Sequence, residues 1–240
     1  MAWAFPSTLA EWQRRKKLRS APPLRLFARE SLSFAYMRSA ATFAGAVPLS
    51  VKGDGQHVMV MPGFMASDQT TARLRRSLAA AGFVAHGWGL GRNRGIKADI
   101  FERIDAQIDT LGIKTPVVLV GWSLGGLIAR EYAKHAPNRV AKVVTLGSPF
   151  SGDLRANNAW RLYELVAGHS IDAPPIAVML AEKPPVPTCA IWSAGDGVVA
   201  VSSARGLAHE SDEQVELSCT HMAFVARPEA IRAVAQAIAA

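Results

Sequence analysis

The stretch Val117-Val118-Leu119-Val120-Gly121-Trp122-Ser123-Leu124-Gly125-Gly126 ends an apolar run in a serine flanked by glycines. A serine hydroxyl is a weak nucleophile until a neighbouring base takes its proton. The arrangement Gly-x-Ser-x-Gly between a strand and a helix has a physical logic. The serine stands on a sharp strand-to-helix turn with strained backbone angles, so that its hydroxyl projects above the sheet. Residues two before and two after come so close to that turn that a Cβ would clash, and Gly121 and Gly125 remove it. The helix that begins at Leu124 would aim its free N–H groups and positive dipole end at the reacting centre.

The base that activates Ser123 is expected late in the chain, on a loop after the last strand. Of the six histidines, His57 and His86 lie on early strands and His135 ends the helix that starts at the serine. His169 falls in a long insertion and His209 precedes the last strand. His221 follows the expected sixth strand, Glu213–Ser218, and precedes the closing helix, so it fits the role. An orienting carboxylate should follow the preceding strand, and Asp196 sits in the tight Ala194-Gly195-Asp196-Gly197 turn there. Its carboxylate would hold the imidazole in the right tautomer and stabilise the imidazolium. Asp153, after the fourth strand, is the alternative acid. The order Ser…Asp…His, with the acid and base after successive strands, is the one expected of this kind of fold.

Developing negative charge on a carbonyl oxygen needs two aimed N–H groups. Leu124, next to the nucleophile, can supply one. The other is expected from Met61-Pro62-Gly63-Phe64-Met65, the turn after the first strand, with Phe64 N–H as the donor and Met65 as the alternative. Phe64, Leu124, Met65, Trp122, Phe150 and Met222 are the apolar candidates for the walls of the site. Such walls favour an uncharged acyl group over a phosphate or a peptide.

The elements that must position these residues read as an alternation. Strands are expected over Gln56–Met61, Phe83–His86, Val117–Val120, Val140–Leu146, Thr188–Trp192 and Glu213–Ser218. Between them, helical spacing appears at Ala72, Leu74, Leu78 and Ala81, with Ser67 or Asp68 as cap and Gly82 as stop. It recurs at Ile100, Ile104, Ile108 and Leu111, over Leu124–His135, and over Ile231–Ile238. This alternation implies an α/β fold of about six mostly parallel strands covered by helices on both faces, with right-handed crossovers. Residues 148–187 break the rhythm with six prolines around a possible helix at Ala156–Val166. An insertion there usually sits above the strand ends, where ligands bind. Cys189 falls early on its strand and Cys219 late on the next, too far apart to bridge.

Pro62-Gly63-Phe64, Gly121-Trp122-Ser123-Leu124-Gly125-Gly126, the Asp196 loop and His221 together resemble the α/β-hydrolase superfamily, in particular its lipase- and esterase-like members. The resemblance covers residues 51–240 and implies a serine hydrolase fold acting on esters. Pro62-Gly63 stands where that family usually has His-Gly, and the family's early antiparallel strands are not evident. Residues 1–50 read instead as a basic, helical N-terminal extension packed on a body spanning 51–240.

Composition narrows the remaining classes. Half of the 240 residues are hydrophobic and 19% are charged, which is globular and not disordered. The longest apolar candidate, 24–46, is interrupted by Arg25, Arg29, Glu30 and Arg38, so no transmembrane helix is expected. Without a secretory signal pattern the expected compartment is the cytoplasm. The net charge of +8 is concentrated in residues 1–50, at Arg14, Arg15, Lys16, Lys17, Arg19, Arg25, Arg29 and Arg38. This segment could be a solvated helical face or could touch an anionic membrane surface, and no nucleic-acid signature accompanies it. Gly87-Trp88-Gly89-Leu90-Gly91 fails the dinucleotide pattern, because Arg92 and Arg94 occupy the sixth positions. No cofactor or metal is expected. The expected activity is carboxylic-ester hydrolysis of a small-molecule or lipid ester through an acyl-enzyme on Ser123. Acyl transfer or thioester hydrolysis by the same triad, and noncatalytic binding on this scaffold, are the alternatives. Oligomeric state and natural substrate are not encoded legibly.

Overall fold

The computed structural model describes residues 21–153 and 155–240. Of the basic cluster, Arg14, Arg15, Lys16, Lys17 and Arg19 lie outside the described residues. Among those described, no helix is long and apolar enough to cross a membrane.

Six parallel strands form one sheet: β1 (His57–Met61), β2 (Val84–Gly87), β3 (Val117–Trp122), β4 (Val140–Leu146), β5 (Thr188–Ser193) and β6 (Glu213–Leu217). Their order in space is β2-β1-β3-β4-β5-β6. The central strand β3 is apolar and buried throughout because both faces are covered. Val58 and Val60 of β1 join Val118, Val120 and Trp122 of β3 in one core. Met59, Met61, Val117 and Leu119 point into the other. Alternation along a strand thus serves two cores at once.

Seven α-helices complete the described chain: α1 (Leu24–Phe43), α2 (Ala72–Ala80), α3 (Ile100–Thr110), α4 (Leu124–His135), α5 (Trp160–Ala167), α6 (Val201–Arg205) and α7 (Pro228–Ala239). Met37 of α1, Leu74 and Leu78 of α2, and Ile231 and Val234 of α7 pack on one face of the sheet. Ile100, Ile104 and Ile108 of α3 and Leu127 and Ile128 of α4 pack on the other. The N-terminal extension is therefore helical over α1, and that helix contributes to the main core.

Two local expectations are corrected. Neither Ser67 nor Asp68 caps α2, whose N-cap is Thr71. The Asp68 carboxylate instead accepts the N–H groups of Trp88 at 3.0 Å and Gly89 at 3.1 Å, tying the turn after β1 to the loop after β2. The helix of the insertion starts at Trp160, later than the hydrophobic spacing suggests. Residues 155–159 form turns in which Asn157 Oδ1 accepts Ala159 N–H. Cys189 is aligned with Glu213 at the start of β6, well before Cys219. Both cysteines are free and buried.

Strand order reverses at β1 and β3, which neighbour each other although β2 lies between them in the chain. In a parallel sheet this switch leaves a crevice beyond the strands' carboxyl ends. Met61 of β1 is aligned with Gly121 of β3, so the turns carrying Phe64 and Ser123 leave the sheet side by side.

Candidate active site

Ser123 is the residue between β3 and α4, with φ +55° and ψ −122°. A non-glycine residue holds such angles at a cost of about 1–3 kcal/mol, which the surrounding packing must offset. Gly121 and Gly125 explain how the turn closes. A Cβ on Gly121 would run into Gly126, and one on Gly125 into the carbonyl oxygens of Met61 and Pro62. The hydroxyl is thereby presented to a cavity above the sheet.

Asp196 and His221 meet directly. Asp196 Oδ2 lies 2.7 Å from His221 Nδ1, and both residues are buried. The other oxygen, Oδ1, accepts the N–H groups of Val198 at 2.7 Å and Val199 at 2.8 Å, which fixes the carboxylate's orientation. Burial pulls the imidazole pKa down, but the charge and hydrogen bond of Asp196, joined by the charge of Glu30, outweigh it and raise the value. Trp122 connects this pair to the serine's turn: its indole N–H donates to His221 O at 3.1 Å, and the two rings lie 5.6 Å apart. No hydrogen bond joins the Ser123 hydroxyl to His221 Nε2 in this structure. Asp153 is not brought to the imidazole; its Oδ1 accepts the N–H of Arg155 at 2.8 Å, within its own turn.

The turn after β1 abuts the serine. A Cβ on Gly63 would stand 3.2 Å from Ser123 Cβ. Met65 N–H is already bonded to Asn93 O at 2.7 Å, so of the two candidate donors in this turn Phe64 is the one left to face the site. Leu124 N–H, at the first turn of α4, has no partner within the helix. Asn93 was not foreseen. Fully buried, it donates from Nδ2 to Pro62 O at 2.8 Å, and its backbone N–H donates to Ala66 O at 2.8 Å. It braces the turn from both ends. Only the failed dinucleotide pattern drew attention to its neighbourhood, and the asparagine itself carried no periodic signal.

The cavity over Ser123 is lined by Phe64, Leu124 and Leu127, by Val198 and Val199, and by Trp160, Tyr163 and Ile171 of the insertion, among others. Among the described residues, no lining side chain is charged. The insertion therefore roofs the crevice, and Tyr163 packs its ring 5.3 Å from that of Phe64. Met65, Trp122, Phe150 and Met222 are not among the lining residues. Met65 is exposed outside the cavity. Trp122 is buried against His221. Phe150 is buried beneath the Arg130 guanidinium, 4.1 Å from its ring centre. Met222 packs beside the Val198–Val199 cluster. Among the described residues no group of three or more His, Cys, Asp or Glu side chains is arranged to hold a metal ion.

A second residue missed from the sequence is Glu30. From α1 its carboxylate accepts three backbone N–H groups, those of Gly197, His221 and Met222.

A switch-point crevice, a strained serine between β3 and α4, and a buried aspartate–histidine pair after β5 and β6 belong together. A family model described as "alpha/beta hydrolase fold" matches residues 57–169. The chain carries the α/β-hydrolase fold. Among solved structures, this chain superposes on the monoacylglycerol lipase of Paleococcus ferrophilus with a TM-score of 0.56 at 18% identity, covering 76% of this chain and 95% of that one. It superposes on carboxylesterase CesB of Bacillus subtilis with a TM-score of 0.54 at 14% identity, covering 88% and 97%. Among curated proteins, it is 29% identical over 111 residues to the pimeloyl-[acyl-carrier protein] methyl ester esterase of Shewanella woodyi. That match covers 45% of this chain and 42% of the relative, so it spans less than half of either.

Proposed function

We propose that this α/β-hydrolase cleaves carboxylic esters with an uncharged, apolar acyl group, through an acyl-enzyme on Ser123. The observation that carries this reading is the charge-free apolar cavity opening on Ser123, with the buried Asp196–His221 pair behind it. The esterase and lipase names among its relatives and fold neighbours point the same way.

In this reading the ester carbonyl enters beneath the N–H groups of Phe64 and Leu124. Ser123 Oγ attacks the carbonyl carbon as His221 Nε2 takes the hydroxyl proton, and the carbonyl π pair moves onto oxygen as an oxyanion. Asp196 stabilises the imidazolium. The oxyanion collapses, the carbon–alkoxide bond breaks, and the imidazolium returns its proton to the leaving alcohol. Water, deprotonated by His221, then attacks the acyl-enzyme and releases the acid and Ser123. The serine-to-imidazole hydrogen bond is one that tightens as substrate fills the cavity, as such bonds commonly do.

The test is intact-protein mass after incubation with a fluorophosphonate probe, with Ser123→Ala alongside. The expected result is one adduct on the wild type and none on the variant, followed by turnover of p-nitrophenyl acyl esters. Absence of an adduct on both proteins would overturn the serine-hydrolase reading. Partition of the acyl group to added alcohol in preference to water would recast it as acyl transfer.

A further inference from the structure

Glu30 lies on α1, ahead of both the sheet and the segment matched by the family model. It is only 4% exposed. A buried carboxylate is costly unless its oxygens are hydrogen-bonded. Here its partners are three backbone donors from two separate loops. Oε1 accepts Gly197 N–H at 2.9 Å and His221 N–H at 2.8 Å, while Oε2 accepts Met222 N–H at 3.1 Å. Gly197 follows Asp196 directly, so one oxygen holds the residue next to the acid and the base's own backbone.

Neighbouring contacts repeat the bridge. Thr220 donates its hydroxyl to Ser33 of α1 at 2.7 Å. Asn158 Nδ2 donates to Pro22 O at 3.1 Å, just before α1, and to Gly197 O at 2.8 Å. The helix backbone also lies directly against the acid's loop, because a Cβ on Gly197 would strike the carbonyl of Leu26. Nothing else in α1 explains a carboxylate at position 30; an apolar side chain there would leave three buried N–H groups without acceptors.

We propose that Glu30 is a positioning residue, fixing the Asp196 and His221 loops in one register so that the acid–base pair is assembled by the N-terminal helix. This rests on the serine-hydrolase reading above. Two carboxylates act on the imidazole, Asp196 from the loop after β5 and Glu30 from α1, and both favour its charged form. The rings packed around it, Trp122 and Phe224, are uncharged. Losing Glu30 therefore loosens the pair and removes one of two charges that stabilise the imidazolium.

The experiment compares wild-type full chain with Glu30→Gln, which keeps the size, and Glu30→Ala. Circular dichroism checks folding. Fluorophosphonate labelling rate, kcat and KM on a short acyl ester, and the NMR titration of the His221 ring are then measured. For folded Glu30→Gln we expect kcat and labelling rate to fall on the order of 10²-fold, the penalty typical of a misplaced catalytic group, with KM nearly unchanged. The His221 titration should move to lower pH. Wild-type kcat together with an unmoved His221 titration in Glu30→Gln, even with a lowered Tm, would overturn the proposal and leave Glu30 a purely structural acceptor. If the wild type fails to label, the serine-hydrolase reading falls, while the His221 titration still decides whether Glu30 acts on the imidazole.

Discussion

Asn93 and Met65 are joined at 2.7 Å by a hydrogen bond from the Met65 N–H to the Asn93 carbonyl, while the Asn93 side chain grips Pro62 O from the other side at 2.8 Å. The turn that should cradle the oxyanion is thus shaped by a residue some thirty positions later in the chain. Met65 sits at φ +60°, a left-handed conformation that a methionine adopts only when held there.

Asn93→Ala should therefore weaken catalysis more than binding. A lost oxyanion donor typically costs about 10²–10³ in kcat, which is the upper bound for a turn that is loosened and not deleted. Steady-state kinetics on an acyl ester provide the check. A variant with wild-type kcat and raised KM would mean that the 62–65 turn only shapes the cavity.

Gly125→Ala tests the serine's turn through stability. The new Cβ would strike the carbonyl oxygens of Met61 and Pro62, which are backbone atoms and cannot step aside cheaply. Overpacking of this sort costs about 1–3 kcal/mol and often more. A lowered Tm with diminished probe labelling is expected. An unchanged Tm would show that β1 and α4 can separate, and that the tight approach is not what holds Ser123 at positive φ.

The pH profile follows from the direction of the His221 shift. The base must be neutral to accept the Ser123 proton. Because Asp196 and Glu30 raise its pKa despite burial, kcat/KM should begin to fall with acidification at a pH above the ordinary histidine value of about 6.5. The stability contribution has the opposite sense. A raised folded-state pKa stabilises the fold fully below that ordinary value, and this contribution is lost as pH rises through the folded pKa. Asp196→Asn removes the larger raising influence and the tautomer control, so its kcat should fall by on the order of 10⁴. A kcat/KM profile flat from pH 5 to 8 would exclude His221 as the base.

Much of this architecture was legible because it is written in local pattern. Val117–Val120 had to be a strand and Ile100, Ile104 and Ile108 a helix face, and the Gly-Trp-Ser-Leu-Gly spacing required a turn between two such elements. Asp196 and His221, singled out by order along the chain, lie 2.7 Å apart. Glu30 and Asn93 were hidden for a common reason. Each serves backbone groups that are remote in sequence, so nothing near it reveals a partner. Glu30 in particular read as a charge interrupting an apolar run, a solvated residue by every local criterion. Of the wall candidates, Phe64 and Leu124 line the cavity, but Trp122, adjacent to Ser123 in the chain, is buried in the core, and much of the lining comes from the proline-rich insertion.

That insertion makes the proposed acyl preference testable. Trp160 and Tyr163 of α5 close the cavity from above, with the guanidinium of Arg161 5.1 Å from the Trp160 ring centre. If the cavity receives the acyl chain, shortening its roof should favour longer chains, because each methylene gained in an apolar pocket is worth about 1–3 kcal/mol, or roughly 10- to 200-fold in discrimination. Trp160→Ala is expected to raise kcat/KM for long p-nitrophenyl esters relative to the acetate, whereas Val198→Asp, which places a charge in an otherwise uncharged cavity, should depress all of them. The ratio of kcat/KM across an ester series from acetate upward measures both effects. An unaltered chain-length ratio in Trp160→Ala, with the protein folded and labelled normally, would mean that the acyl group lies elsewhere and that this cavity takes the alcohol.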